Sequence, residues 1–151
     1  MKTSNLVKEA LRFCREKASR RASGILGLRS GDKWVHNTFR YGLARQISSY
    51  LLANYSEVKS VYLFGSTLDD RAGSMSDIDI ILITRKKHKI LMCHLEKLKL
   101  EILREYKKLV GNGTAGLKEL LDINIVDEKN FSQKKGCASL IYSLHTPAIK
   151  I

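Results

Sequence analysis

Two aspartates, Asp77 and Asp79, flank a single isoleucine in the segment Ser76-Asp77-Ile78-Asp79-Ile80. Ten residues separate that pair from Gly65-Ser66, which follows the apolar run Val61–Phe64. In an extended strand alternate side chains share a face, so Asp77 and Asp79 project together while Ile78 and Ile80 point into a core. Carboxylates about 7 Å apart on a rigid strand can share hard divalent cations such as magnesium. Gly65 leaves space where backbone must approach a phosphate. Ser66 adds a hydroxyl beside backbone N–H groups at the start of a turn, a favourable place for an anion. The chemistry these types and spacings suit is metal-assisted transfer at phosphorus.

The same segment resembles the signature of the DNA polymerase β-like nucleotidyltransferase superfamily. That pattern is an apolar residue, Gly, Gly or Ser, a spacer, then Asp, an apolar residue, Asp or Glu, and another apolar residue. Phe64, Gly65, Ser66, the ten-residue spacer, Asp77, Ile78, Asp79 and Ile80 match every position. Ser76 before the pair is similar to the version common in small, minimal members. Gly-Ser alone carries no weight and Asp-x-Asp alone carries little; the combination between two apolar runs is specific. The resemblance covers about residues 58–128.

The resemblance implies a magnesium-dependent enzyme, with manganese as an alternative metal, that moves a nucleoside monophosphate, AMP foremost, from a nucleoside triphosphate to a hydroxyl acceptor. Asp77 and Asp79 would hold the metal, and Gly65 and Ser66 would receive the β- and γ-phosphates. The family uses a third carboxylate from a later strand, and Asp122 in Leu120–Asp127 is its natural match; Asp127, of opposite parity, is the poorer one. One feature departs from the family. Thr67, Leu68, Asp69 and Asp70 follow Gly-Ser where small members often carry an arginine, so the nearest cation for the triphosphate is Arg71. Two further classes therefore stay open: an inactive interaction module paired with a helical partner, as in toxin–antitoxin pairs, and a nucleic-acid-binding protein. The acceptor would be a protein, a nucleic acid or a small molecule.

Positioning such a site requires strands at 61–64, 77–83 and 120–127 and helices around them. Val7, Ala10, Leu11, Cys14 and Ala18 form one helical stripe within 4–22, and Phe39, Leu43, Ile47 and Leu51 another within 34–55. Between them the glycine-containing segment 23–33 reads as a loop or hinge. Leu91, Leu95, Leu98, Ile102, Tyr106 and Leu109 give a third stripe over 88–110, and 111–116 a turn. Residues 137–144 fit helix and strand equally. The expected fold is α/β (α+β), a short mixed sheet covered by helices. A basic helical extension at 1–56 precedes a nucleotidyltransferase domain at 57–151.

The 151-residue chain has a formal charge of +12, yet residues 61–84 hold four acidic side chains and one basic. Acid concentrated in one short segment of a basic protein fits a divalent metal site. The basic surroundings suit polyanions or simple solubility equally well. Lys86, Lys87 and Lys89, just beyond the acidic strand, read as phosphate ligands or, preferably, as solvated charge. Trp34 and Tyr41, Tyr50, Tyr55 and Tyr62 read as packing residues rather than base-stacking platforms. Cys14, Cys93 and Cys137 are odd in number and far apart, as expected of reduced thiols in a cytoplasmic protein. His36, His88, His94 and His145 show no zinc-ligand spacing. No apolar run approaches the ~18 residues of a membrane span, and charges interrupt the N-terminus, so neither membrane insertion nor a targeting segment is expected.

Overall fold

A computed structural model describes residues 3–18, 25–68, 73–111, 113–141 and 148–151. Helices α1 (Thr3–Ala18), α2 (Ile25–Ser30) and α3 (Lys33–Asn54) come first, then strand β1 (Val58–Phe64), a 3-10 turn (Gly65–Thr67) and strand β2 (Ile78–Thr84). Helix α4 (Lys89–Val110), strand β3 (Leu121–Asp127), the short helices α5 (Glu128–Ser132) and α6 (Ala138–Ile141) and strand β4 (Ile149–Lys150) complete the order.

The four strands make one mixed sheet in the order β3-β2-β1-β4. β1 runs antiparallel to β2 and β4, whereas β2 and β3 are parallel and joined through α4. Register puts Phe64 opposite Asp79, and Asp79 opposite Asp122. Because side chains alternate along a strand, β2 feeds two cores. Ile78, Ile80 and Leu82 enter the larger one, with α1, α3 and α4. Ile81 and Ile83 enter a smaller one on the other face, with Tyr62, Phe64, Val126, Phe131 and Ala138. The expected short mixed sheet covered by helices is what forms.

Helix α3 is the centre of the larger core. Asp32 caps its N-terminus by accepting from the Val35 N–H at 3.1 Å, a contribution of about 1 kcal/mol. Phe39, Leu43, Ile47 and Leu51 are fully buried, as their spacing predicts. So are the polar His36 and Arg40, because α3 lies between α1 and the sheet and has little free surface. Gly42 makes the close approach of α1 workable: a Cβ there would come within 2.7 Å of the Phe13 ring. Removing one of these buried leucines would cost about 2–5 kcal/mol.

The structure departs from the sequence reading in particular places. The glycine-containing stretch expected to be a loop forms α2 over Ile25–Ser30, anchored by fully buried Leu28 and ended by Gly31 at φ +77°. β1 starts at Val58 rather than at 61, with an irregular register between Val58 and Ser60 that lets polar Lys59 and Ser60 join it. The α4 stripe ends on buried Val110, with Leu109 only partly covered. Residues 138–141 of the undecided segment are helical; its last residues, like 19–22 of the first predicted helix, lie outside the described ones. Trp34 is 36% exposed, while Tyr41, Tyr50, Tyr55 and Tyr62 are partly buried against the two cores. Among the described residues no helix is long and apolar enough to cross a membrane.

Candidate metal centre

Two neighbouring strands bring the acidic residues to one end of the sheet. Asp77 lies in the extended residues just before β2, Asp79 is the second residue of β2, and Asp122 is the second residue of β3. Parallel register sets Asp122 beside Asp79, and strand parity aims both at the same face. One carboxylate oxygen from each of Asp77, Asp79 and Asp122 lies within 4.8 Å of the others. Asn124 shares that face, two residues along β3. Asp127, at the far end of the strand, caps α5 by accepting from the Asn130 N–H at 2.8 Å, a sufficient structural reason for its presence.

The turn after β1 closes against the same cluster. Gly65 has φ +79°, and a Cβ there would stand 2.1 Å from Asp79 Oδ2. Only glycine satisfies both the backbone and the space. The Leu68 N–H donates to the Gly65 carbonyl at 3.1 Å and completes a tight 3-10 turn that carries Ser66, partly exposed, past the carboxylates. Arg71 lies outside the described residues.

Like charges held this close oppose ionisation. Burial first, then the negative charges of Asp77 and Asp122, push the Asp79 carboxyl up to about 6. Three converging hard oxygen donors fit a magnesium- or manganese-sized cation, which would relieve the repulsion. Among the described residues no histidine or cysteine enters a comparable cluster. His88 precedes α4 on the surface, His94 meets the Tyr55 hydroxyl at 3.0 Å, and none of the three cysteines is in a disulfide.

Sequence reading missed what lies under the acidic segment. Arg40 of α3 is fully buried and donates to the Ser76 carbonyl, immediately before Asp77, at 2.9 Å. Burial lowers its pKa, while Tyr106 and then Asp77 act in the opposite direction. The only local signal was a cation set among the apolar residues of a helix destined for the core.

Lys86, Lys87 and Lys89 follow the opposite end of β2 and are exposed. With seven residues of strand at about 3.3 Å each in between, they are remote from the carboxylates. A cleft of about 500 Å³ is lined by Arg29, Gly31, Ser74, Gly111 and their neighbours. It touches the segment before β2 through Ser74 and includes none of the three aspartates.

A family model described as polymerase beta, nucleotidyltransferase matches residues 45–142, which contain the turn, all three aspartates and every strand but β4. Neither a curated protein nor a solved structure matches the chain.

Proposed function

The chain belongs to the polymerase β nucleotidyltransferase family, and we propose that it transfers a nucleoside monophosphate, AMP foremost, from a triphosphate to a hydroxyl acceptor with release of pyrophosphate. The observation that carries this reading is the convergence of Asp77, Asp79 and Asp122 beside a turn that only glycine can make. In this reading the three carboxylates hold magnesium or manganese. When bound, the metal supplies positive charge to the phosphate oxygens and favours ionisation of the acceptor hydroxyl.

The chain's own residues account for the remainder. Gly65 and Ser66 offer backbone N–H groups and a hydroxyl to the terminal phosphates. Arg71 is the nearest cation in sequence that could offset Asp69 and Asp70. Asp122 takes the proton of the attacking hydroxyl. The acceptor oxygen bonds to the α-phosphorus as the bond from that phosphorus to the pyrophosphate oxygen breaks. Nothing in the scheme needs a covalent nucleophile from the protein.

The test is incubation with each labelled nucleoside triphosphate, magnesium and lysate, followed by a search for a labelled product. With an acceptor in hand, Asp122→Asn should keep nucleotide affinity within a few-fold and lose about 10²–10³ in transfer rate. That split marks an interaction realised in the transition state. Transfer at the wild-type rate by Asp122→Asn would remove Asp122 from the chemistry. A wild type that binds triphosphate but labels nothing would favour the interaction-module reading.

A further inference from the structure

The segment that presents Asp77 is not held by its own strand. β2 begins one residue later, where the Ile78 N–H donates to the Leu120 carbonyl at 2.7 Å. Upstream, Ser76 folds back on Gly73, whose N–H donates to Ser76 Oγ at 2.9 Å. A residue between a turn and a strand end has no ladder to fix its direction, so something else must orient it.

Arg40 and Tyr106 do this from two helices. Arg40 reaches the Ser76 carbonyl twice, from Nη2 at 2.9 Å and Nε at 3.3 Å, and donates from Nη2 to the Tyr106 hydroxyl at 3.0 Å. The Tyr106 hydroxyl in turn donates to the Ser74 carbonyl at 2.8 Å. His36, one helical turn before Arg40, meets Arg40 Nη1 through Nδ1 at 2.8 Å and the Leu28 carbonyl through Nε2 at 2.8 Å. Arg40 cannot accept a hydrogen bond, so Nδ1 must accept and Nε2 must carry the proton. The imidazole is neutral and single in tautomer, which agrees with the lowering of its pKa by burial and by Arg40.

The energetics make this arrangement unusual. A fully buried guanidinium is tolerated when a carboxylate pairs with it. Here its hydrogen-bond partners among the described residues are a carbonyl, an imidazole and a phenol, all neutral. An apolar residue at position 40 would fill the core at less cost. The planar fork supplies a bidentate grip on one backbone carbonyl, which no apolar side chain can offer.

We propose that Arg40, with Tyr106 and His36 behind it, is a positioning residue that fixes Ser74–Ser76 and thereby aims Asp77 at the shared metal position. The inference rests on the metal reading given above, and two measurements keep the two apart. In metal-free protein, Arg40→Lys and Tyr106→Phe should speed hydrogen exchange of the amides around Ile78 and Asp79, while Leu82 in the same strand exchanges as before. In the folded variants Mn²⁺, followed by electron paramagnetic resonance, should bind about tenfold more weakly for Arg40→Lys, as for other residues that orient metal ligands. For Tyr106→Phe, which loses the hydroxyl's bonds to Arg40 and to the Ser74 carbonyl, the expected loss is about fivefold.

A merely structural Arg40 would give a different pattern: lower stability to urea, exchange faster throughout the core, and unchanged Mn²⁺ affinity in the folded fraction. That pattern overturns the proposal, as does faster local exchange with wild-type Mn²⁺ affinity. If Arg40→Lys does not fold, Tyr106→Phe decides by the same readouts. If the wild type itself binds no Mn²⁺, the metal reading fails, and local exchange alone decides whether Arg40 fixes the segment.

Discussion

Strand β2 has a charge cluster at each end, and the two are equally conspicuous in the sequence. At one end Asp77 and Asp79 meet Asp122 within 4.8 Å, partly buried, and Asp79 holds its proton up to about 6. At the other, Arg85, Lys86, Lys87 and Lys89 are exposed. Like charges spread in water cost little. Like charges converged and half-desolvated oppose folding, and a bound cation would offset that cost. Convergence, more than charge, separates a reactive cluster from a solvated one.

The contrast breaks most directly at the acidic end. Asp77→Asn/Asp79→Asn should abolish the rise in melting temperature that magnesium or manganese gives the wild type. Transfer should fall by about 10³-fold or more. Calorimetry with and without metal checks the first part, and an equal metal-dependent shift in the double variant would show that the cluster is not the metal site.

Gly65→Ala comes next. It places a Cβ against Asp79 in a backbone at φ +79°, and should destabilise the fold by about 1–3 kcal/mol in urea titration. Gly73→Ala, where nothing lies within 4 Å, is the matched control and should stay within about 0.5 kcal/mol.

The pH dependence sharpens the comparison further. Asp79 titrates at about 6 in the folded chain against 3.8 for an unperturbed group. Between those values the folded chain keeps a proton that the unfolded chain has released, so stability falls as pH rises through this window. Asp79→Asn escapes that loss. Without metal it should melt a few degrees above wild type at pH 7 and level with it near pH 4. Saturating metal at pH 7 should reverse the order. A difference independent of pH would mean that Asp79 ionisation is not the source.

The smallest effect belongs to the basic end. Lys86→Ala/Lys87→Ala/Lys89→Ala should change stability by no more than about 0.5 kcal/mol and leave metal binding untouched. Loss of metal response in this triple variant would remove the distinction between the two ends.

Much of this was legible before any coordinates. Short isoleucine-rich apolar runs located β2 and β3, and three-and-four spacing located α1, α3 and α4, because a helix with one buried face carries that period in its sequence. The family resemblance together with strand parity ranked Asp122 above Asp127, and the structure places Asp122 with Asp77 and Asp79 while Asp127 caps a helix. Elements set by distant contacts were not legible. β4 is two residues that pair with Tyr62 and Leu63, far away in sequence. Arg40 bonds to Ser76, 36 positions on, and no local pattern distinguishes a helical arginine facing a carbonyl from one facing water. α2 hides in a glycine-containing stretch because buried Leu28, rather than propensity, holds it.

The pairing of Asp79 with Asp122 in the β2–β3 ladder bears on how the chain finds its fold. Parallel strands have evenly spaced hydrogen bonds, and runs rich in isoleucine offer little to tell one alignment from the next. A slip of one residue would turn Asp122 from the open face into the larger core beside Ile78 and Ile80. An unpaired carboxyl there would cost several kcal/mol. The Asp122 carboxyl that crowds Asp79 in the finished sheet would thus also select its alignment, disfavouring the misaligned sheet during assembly.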